Sequence, residues 1–313
     1  MEKVIVVVGP TGVGKTKMGV ALAKSFNGEV ISGDSMQIYK TMDIGTAKVT
    51  KDEMEGIVHH LIDIKDPQDS YSVKEFQDEV RSKIKEIMLR HKLPIIVGGT
   101  GLYIKAALYD YEFSNSEVDH QYYIEKYQDY SNEQLYHYLM KIDQKTASEL
   151  HPNNRQRVLR AIAIYESTGV SKSETIAKQK HQMLYDAKFI GLTLERELLY
   201  QRINQRVDIM MQQGLLDEID RLMKKNYSPD LQSMKAIGYK EWFAYYQGKQ
   251  SLEETIELIK KHSRNYAKRQ YTWFNNQMPV TWFEVSLDNF SNTVDQVIAY
   301  LNDFIVKDIY ENN

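Results

Sequence analysis

The chain has 313 residues, 42% of them hydrophobic and 27% charged, a globular balance that excludes an intrinsically disordered protein. Its formal net charge of -3 excludes a protein that coats nucleic acid by bulk charge, so any polynucleotide contact must come from local patches. The absence of cysteine excludes disulfides, thiolate metal sites and cysteine nucleophiles.

The amino-terminal apolar run, residues 4–8, is too short for a secretory h-region and ends at Gly9-Pro10, so it reads as a first strand. A helix follows over 15–25, with Met18, Ala21 and Leu22 on one face. Strands are expected at 29–32 and 60–64, the latter stopped by Asp66-Pro67. An amphipathic helix covers 73–90, and a buried strand covers 94–97 before Gly98-Gly99. Apolar strands alternating with helices imply βαβ units and a parallel sheet, whose ligands sit at the carboxyl ends of the strands. From 110 to 186 the β pattern is lost, and helical periodicity, tyrosines and one basic cluster take over. Many of the 22 tyrosines fall between Tyr103 and Tyr138, as core packing or as a stacking surface. A strand at 188–194 returns to the sheet. Helices are expected at 195–213, 215–225, 237–246 and 252–274, then a strand at 280–285 and a closing helix at 289–309. The expected fold is thus α/β: a P-loop NTPase-like parallel sheet flanked by helices, formed by 1–109 and 187–313, with a helical insertion at 110–186. No apolar stretch approaches the roughly 20 residues that span a bilayer, and a soluble, cytoplasmic, monomeric protein is expected.

The strongest chemical signal is Gly9-Pro10-Thr11-Gly12-Val13-Gly14-Lys15-Thr16, a P-loop pattern between a buried strand and a helix. Glycines let backbone amides converge on phosphate oxygens, and the helix N-terminus adds partial positive charge. Lys15 supplies a point charge, and the Thr16 hydroxyl is placed for Mg2+. The pattern specifies a diphosphate or triphosphate and not ATP in particular. Asp34 follows the second strand at the mouth of the same site, as a general base, an indirect Mg2+ ligand or a loop acid. Ser35, Met36 and Gln37 continue into a segment that suits either a base-reading surface or an ordinary loop. Asp43, Ile44, Gly45, Thr46, Ala47 and Lys48 do not fit a DxxG switch. Thr100, in a second glycine-rich turn, is a polar contact or a helix cap. Arg155, Gln156, Arg157, Val158, Leu159 and Arg160 open a helix in the insertion. Arg157 and Arg160 share a face, while Val158, Leu159 and Ile162 take the other, so the arginines are a solvated face or an anion site. Residues 260–270 hold five cationic residues and no acid, with Tyr266, Tyr271, Trp273 and Phe274 interleaved. Lys261, Arg264 and Lys268 lie on one helical face, either solvated or against an RNA backbone.

The segments GPTGVGKT, ISGDSMQIYKTMDIGTAK, HHLIDIKDP, PIIVGGTGLYIKA, NNRQRVLRAIAIYESTG, QRINQRVDIMMQQGLLDE, SMKAIGYKEW and AKRQYTWF resemble, in order, the motifs of the bacterial tRNA dimethylallyltransferase family. The resemblance covers residues 4 to about 274. It implies transfer of the five-carbon group of dimethylallyl diphosphate to N6 of the adenosine 3′ of the anticodon, with the P-loop holding the diphosphate and Mg2+ assisting. It implies Asp34 as general base, and the tRNA anticodon stem-loop as partner at Asp34, Ser35, Met36, Gln37, Thr100, Gln156, Arg157, Val158, Leu159 and Arg160. A prenyltransferase for free AMP, ADP or ATP would share the P-loop and the base, but the two basic clusters favour a polynucleotide. A small-molecule kinase would use Asp34 on a hydroxyl but calls for a short arginine lid. A nucleotide-gated RNA-binding switch lacks a convincing switch motif.

Overall fold

The computed structural model describes residues 2–111, 113, 120–178 and 181–311. It divides into two compact units, Met1–Tyr109 with Met183–Asn313, and Asp110–Gln182.

The first unit is built on six parallel strands: β1 (Lys3–Val8), β2 (Gly28–Ser32), β3 (His59–His60), β4 (Leu93–Val97), β5 (Asp186–Thr193) and β6 (Val280–Glu284), in the order β3-β2-β4-β1-β5-β6. The period-2 geometry of a strand explains its two-sided core. In β1, Val4, Val6 and Val8 enter one hydrophobic cluster while Ile5 and Val7 enter another. Helices connect the first strands: α1 (Lys15–Ser25), α2 (Lys51–Met54), α3 (Val73–Leu89) and α4 (Gly101–Leu108). α3 starts at a full capping box, the Ser72 hydroxyl accepting from Glu75 N–H while the Glu75 carboxylate accepts from Ser72 N–H.

The second unit is helical: α5 (His120–Lys126), α6 (Asn132–Ile142), α7 (Gln144–Ser148), α8 (Arg155–Thr168) and α9 (Lys172–Lys178). Its core gathers Leu135, Leu139, Ala147, Val158, Ile162 and their neighbours. Some of its tyrosines are packing groups: Tyr123 and Tyr127 are buried, and the Tyr127 and Tyr138 hydroxyls both donate to Glu166. Tyr122 and Tyr130 are exposed. Residues 112, 114–119 and 179–180 of the expected insertion lie outside the described residues.

The chain then returns through β5 to α10 (Arg196–Gln212), α11 (Leu215–Met223), α12 (Trp242–Tyr246), α13 (Leu252–Gln277) and, after β6, α14 (Phe290–Glu311). Three of the differences from expectation have a clear local cause. The strand expected at 60–64 stops at His60, because Leu61 and Asp63 take positive φ (61° and 56°) and Ile64 and Lys65 instead donate to Ile38 O. The helix expected at 237–246 shrinks to Trp242–Tyr246, preceded by a 3-10 turn at Ser233–Lys235, since Gly238 turns the chain at φ 92°. The returning strand begins at Asp186 and not 188, because Asp186 pairs with Lys3; the second unit accordingly ends at Gln182.

Candidate active site at the carboxyl ends of the strands

β2, β4 and β1 are neighbours in the sheet, and three loops leave their carboxyl ends side by side. The loop after β1 is the P-loop. Gly9 has φ 141° and lies so close to β5 that a Cβ there would come 2.5 Å from Leu192 O. α1 begins at Gly14 with no side-chain cap and no acidic residue in its first turn, which leaves the helix end to an anion. Pro10 and Val13 are buried, so they contribute backbone rather than side chain. The Lys15 ammonium donates to Pro10 O at 2.8 Å. Burial pulls its pKa down to about 8, Arg206 pulls the same way, and the Asp34 carboxylate opposes both.

The loop after β2 carries Asp34. Its Oδ1 accepts the Met36 N–H at 2.8 Å in a local turn. The loop after β4 carries Thr100, which stands at the N-cap position of α4 without capping it. Its hydroxyl instead accepts the Ser35 N–H at 3.1 Å and donates to the Ser35 hydroxyl at 3.3 Å, joining the β2 and β4 loops. A cavity of about 910 Å³ is lined by Thr11, Gly12, Gly14, Lys15, Thr16, Asp34 and Gln37. A second, of about 360 Å³, is lined by Ser35, Met36, Tyr266, Arg269 and Gln270. Thr11, Lys15, Asp34, Thr46, Ala47, Arg206 and Met210 line both, so the carboxylate and the P-loop lysine stand on the wall between two compartments.

Arg202, Arg206 and Gln270, which line these cavities, escaped the sequence analysis, and Tyr266 figured there only as an aromatic of the basic stretch. Arg202 and Arg206, four apart on α10, point to the P-loop: Arg202 Nε donates to Gly12 O at 3.0 Å. Burial lowers the Arg206 pKa, against the raising effect of the Glu53 and Asp34 carboxylates. Gln270, 6% exposed, accepts the Thr11 N–H at 3.0 Å and donates to Gly99 O at 3.0 Å, tying the P-loop to the β4 loop. The Tyr266 hydroxyl interacts with Thr100 and Gln270; burial first, then the Asp34 charge, push its pKa up to about 12. The i, i+4 spacing of Arg202 and Arg206 was the one available signal.

Other expected residues lie elsewhere. Arg157 and Arg160 are exposed on α8, with Gln156, in the helical unit. Val158 and Leu159 are 0% and 7% exposed and pack in that unit's core, so as contact side chains they are withdrawn: helical periodicity turns them inward. Arg155 donates to the Tyr127 and Tyr130 carbonyls and to Asn132, a structural role. On α13, Lys261, Arg264 and Lys268 line neither cavity. Lys261 and Lys268 are exposed, while Arg264 donates to Asn204. Lys260 is matched by Asp208 and Glu257, so the patch is less uniformly basic than its sequence. Phe274 is buried in the core.

For a divalent cation the larger cavity offers hard oxygen donors, the Thr16 hydroxyl and the Asp34 carboxylate, beside the P-loop backbone. Among the described residues no group of three or more His, Asp or Glu is placed to hold a metal. Mg2+ fits such a set, since it is ordinarily bound by one or two protein oxygens together with phosphate oxygens and water. If Thr16 is a ligand, Thr16→Ala will raise the Mg2+ concentration needed for half-maximal binding of inorganic diphosphate about tenfold. An unchanged Mg2+ titration removes Thr16 from the metal.

This fold and this site define a P-loop α/β protein with a carboxylate, Asp34, beside the P-loop lysine. The IPP transferase family model matches residues 37–277, and the chain belongs to that family. It is 53% identical to a tRNA dimethylallyltransferase of Anoxybacillus flavithermus over 301 residues, 96% of each chain. It is 56% identical to one of Bacillus cytotoxicus over 289 residues, 91% of each. The solved tRNA isopentenylpyrophosphate transferase of Bacillus halodurans is 45% identical, with 100% of both chains covered and a TM-score of 0.76. A eukaryotic dimethylallyltransferase solved acting on tRNA is 34% identical, with 98% of this chain and 80% of that chain covered and a TM-score of 0.86.

Proposed function

We propose that this protein transfers the dimethylallyl group of dimethylallyl diphosphate to N6 of the adenosine 3′ of the anticodon of tRNA, releasing diphosphate. Membership in a family whose relatives are named tRNA dimethylallyltransferases supports the reaction. The observation that carries it into this chain's chemistry is the shared wall: Lys15 and Arg206 for a departing diphosphate, Asp34 for an incoming amine, in one place.

The N6 lone pair of adenine is delocalised and weakly nucleophilic. In the proposed step it forms a bond to C1 of the allyl group as the C1–O bond breaks, and that electron pair leaves with the diphosphate. The N6 proton passes to the Asp34 carboxylate. Backbone amides of residues 12–16, Lys15, Arg206 and Arg202 receive the charge that develops on the leaving group. Thr16, with Asp34 nearby, would hold Mg2+, which neutralises further diphosphate charge when bound. The larger cavity takes the donor. The smaller takes the base, lined by Ser35, Met36, Tyr266 and Arg269. A loop adenine, cheaper to unstack than a duplex base, suits such a pocket. Incubation with labelled dimethylallyl diphosphate and either tRNA or AMP tests the reading: label must enter tRNA, and label confined to AMP overturns it.

The rest of the tRNA is assigned to Gln156, Arg157 and Arg160 on the helical unit and to Lys261 and Lys268 on α13, with Arg264 a lesser contact because Asn204 already engages it. A monomeric, cytoplasmic enzyme suits such a substrate, and among the described residues no helix is long and apolar enough to cross a membrane. Alanine at Lys261, Arg264 and Lys268 together will weaken tRNA binding. It will also make the log-log salt slope shallower by about one and a half to two units, as expected for two lost phosphate contacts. Affinity for inorganic diphosphate will not change. An unaltered slope assigns this helix face to solvent.

A further inference from the structure

The loop from Asp43 to Lys48 has no assigned role, yet Thr46 and Ala47 line both cavities and Gln37 Nε2 donates to Ala47 O at 3.3 Å. This loop therefore forms part of the partition between the compartments, and it accepts a hydrogen bond from Gln37, which lines the larger one. Its two ends are held by buried charges of opposite sign. At the far end the Lys48 ammonium, 5% exposed, donates to Asp43 Oδ1 at 2.6 Å, Asp63 Oδ1 at 2.5 Å and Tyr39 O at 2.6 Å. At the near end Glu218, on α11 and 2% exposed, receives three consecutive backbone amides. Its Oε2 accepts from Asp43 at 2.9 Å and Ile44 at 2.8 Å; its Oε1 accepts from Gly45 at 3.1 Å and from the Tyr239 hydroxyl at 2.6 Å.

All four donors to Glu218 are neutral. A buried carboxylate satisfied in this way adds little to stability compared with an apolar side chain, because its desolvation cost offsets the bonds it makes. What it adds is definition: three adjacent amides converge on one group, which fixes φ and ψ of the loop. Gly45 completes the fit, since a Cβ there would lie 2.6 Å from the Tyr239 ring and 2.7 Å from its hydroxyl. Gly238, on the same segment as Tyr239, lines the smaller cavity. Glu218 and Tyr239 thus join two pieces of cavity wall from behind without lining either cavity themselves.

The geometry points to Glu218, seconded by Tyr239, as a positioning residue that sets the partition between donor and acceptor compartments through the loop from Asp43 to Lys48. The inference rests on the prenyl-transfer reading above. Such a residue acts on the alignment of two bound substrates, where a displacement of about 1 Å costs on the order of 10²-fold in rate. It does not act on the P-loop, which is built by β1, α1 and Gln270.

In Glu218→Gln one carboxylate oxygen becomes an NH2 group. If it replaces Oε2 it faces two amides that can only donate; if it replaces Oε1 it faces Gly45 N–H. At least one loop amide loses its acceptor either way. Tyr239→Phe keeps the ring and removes one donor, and it remains informative if the first variant folds poorly. With labelled dimethylallyl diphosphate and tRNA, Glu218→Gln will lower kcat at least tenfold and Tyr239→Phe at least threefold. The Kd for inorganic diphosphate will stay at its wild-type value in both variants. A residue that only held the fold together would lower diphosphate binding and turnover in step. Wild-type kcat in either variant, or a matching loss of diphosphate binding, overturns the proposal. Wild-type protein that labels no tRNA overturns the parent reading, and this one with it.

Discussion

Asp34→Ala will lower turnover of tRNA by about 10²–10⁴-fold, the range a positioned general base contributes. Asp34 stands at the carboxyl end of β2 on the wall shared by both cavities, where its charge reaches Lys15, Arg206 and Tyr266. One oxygen, Oδ1, is engaged by Met36 N–H, so the carboxylate is oriented by its own loop. Asp34→Asn separates chemistry from shape. It is isosteric and can keep the Met36 bond, but an amide cannot take the N6 proton, so its turnover should fall as far as that of the alanine variant. Donor binding has to be compared near pH 7. Asp34 holds the Lys15 pKa up, so its removal favours neutral lysine, and a measurement at pH 8 or above would mix that effect with the chemistry. Single-turnover labelling at saturating donor is the readout. If either variant keeps more than about a tenth of wild-type turnover, the proton goes elsewhere.

How legible this site was in the sequence depended on distance along the chain. The P-loop is local: a strand, a glycine-rich turn and a helix within residues 3–25 dictate one another, and pattern alone suffices. Asp34 was legible as a residue at a strand tip, and the order of β2, β4 and β1 brings it beside Lys15. Arg206 and Gln270 come from α10 and α13, more than 190 residues after the P-loop they face. No local rule connects positions so far apart, and each looks like an ordinary polar residue on a long helix. Glu218 was hidden more completely, because three of its four donors are backbone amides, which leave no mark in a sequence. The reverse error came from the resemblance, which carried over Val158 and Leu159 with their neighbours although helical periodicity already set them on the other face. Val158 and Leu159 sit among arginines in the chain, but helical geometry sends them into the core while Arg157 and Arg160 stay outside. Lys260 counted as a free cation until α10 supplied Asp208.

Lys15 gives the second large effect, and its pH dependence has a definite sign. In the free protein, burial and Arg206 hold the ammonium at about 8, below its ordinary value, despite the pull of Asp34. A bound diphosphate places negative oxygens beside it and favours the charged form, so its pKa in the complex is higher than in the free protein. Binding therefore takes up a proton wherever free Lys15 is neutral. Below about pH 8 the lysine is already charged and its contribution to donor affinity is complete. As pH rises through about 8 that contribution is lost, by about tenfold in Kd per unit, until the pKa of the complex is reached. Lys15→Met keeps the aliphatic stem and removes the charge. At pH 7 it should weaken dimethylallyl diphosphate binding by roughly 10–150-fold, the equivalent of about 1.5–3 kcal/mol for a hydrogen bond to a charged group. It should also flatten the lysine-dependent slope above pH 8. Titration of the donor itself is common to both proteins, so the difference between their pH profiles isolates Lys15. Profiles that remain parallel from pH 7 to 9.5 would mean that the lysine meets the diphosphate already neutral, or does not meet it, and the charge on the leaving group would then rest on Arg206, Arg202 and the backbone amides.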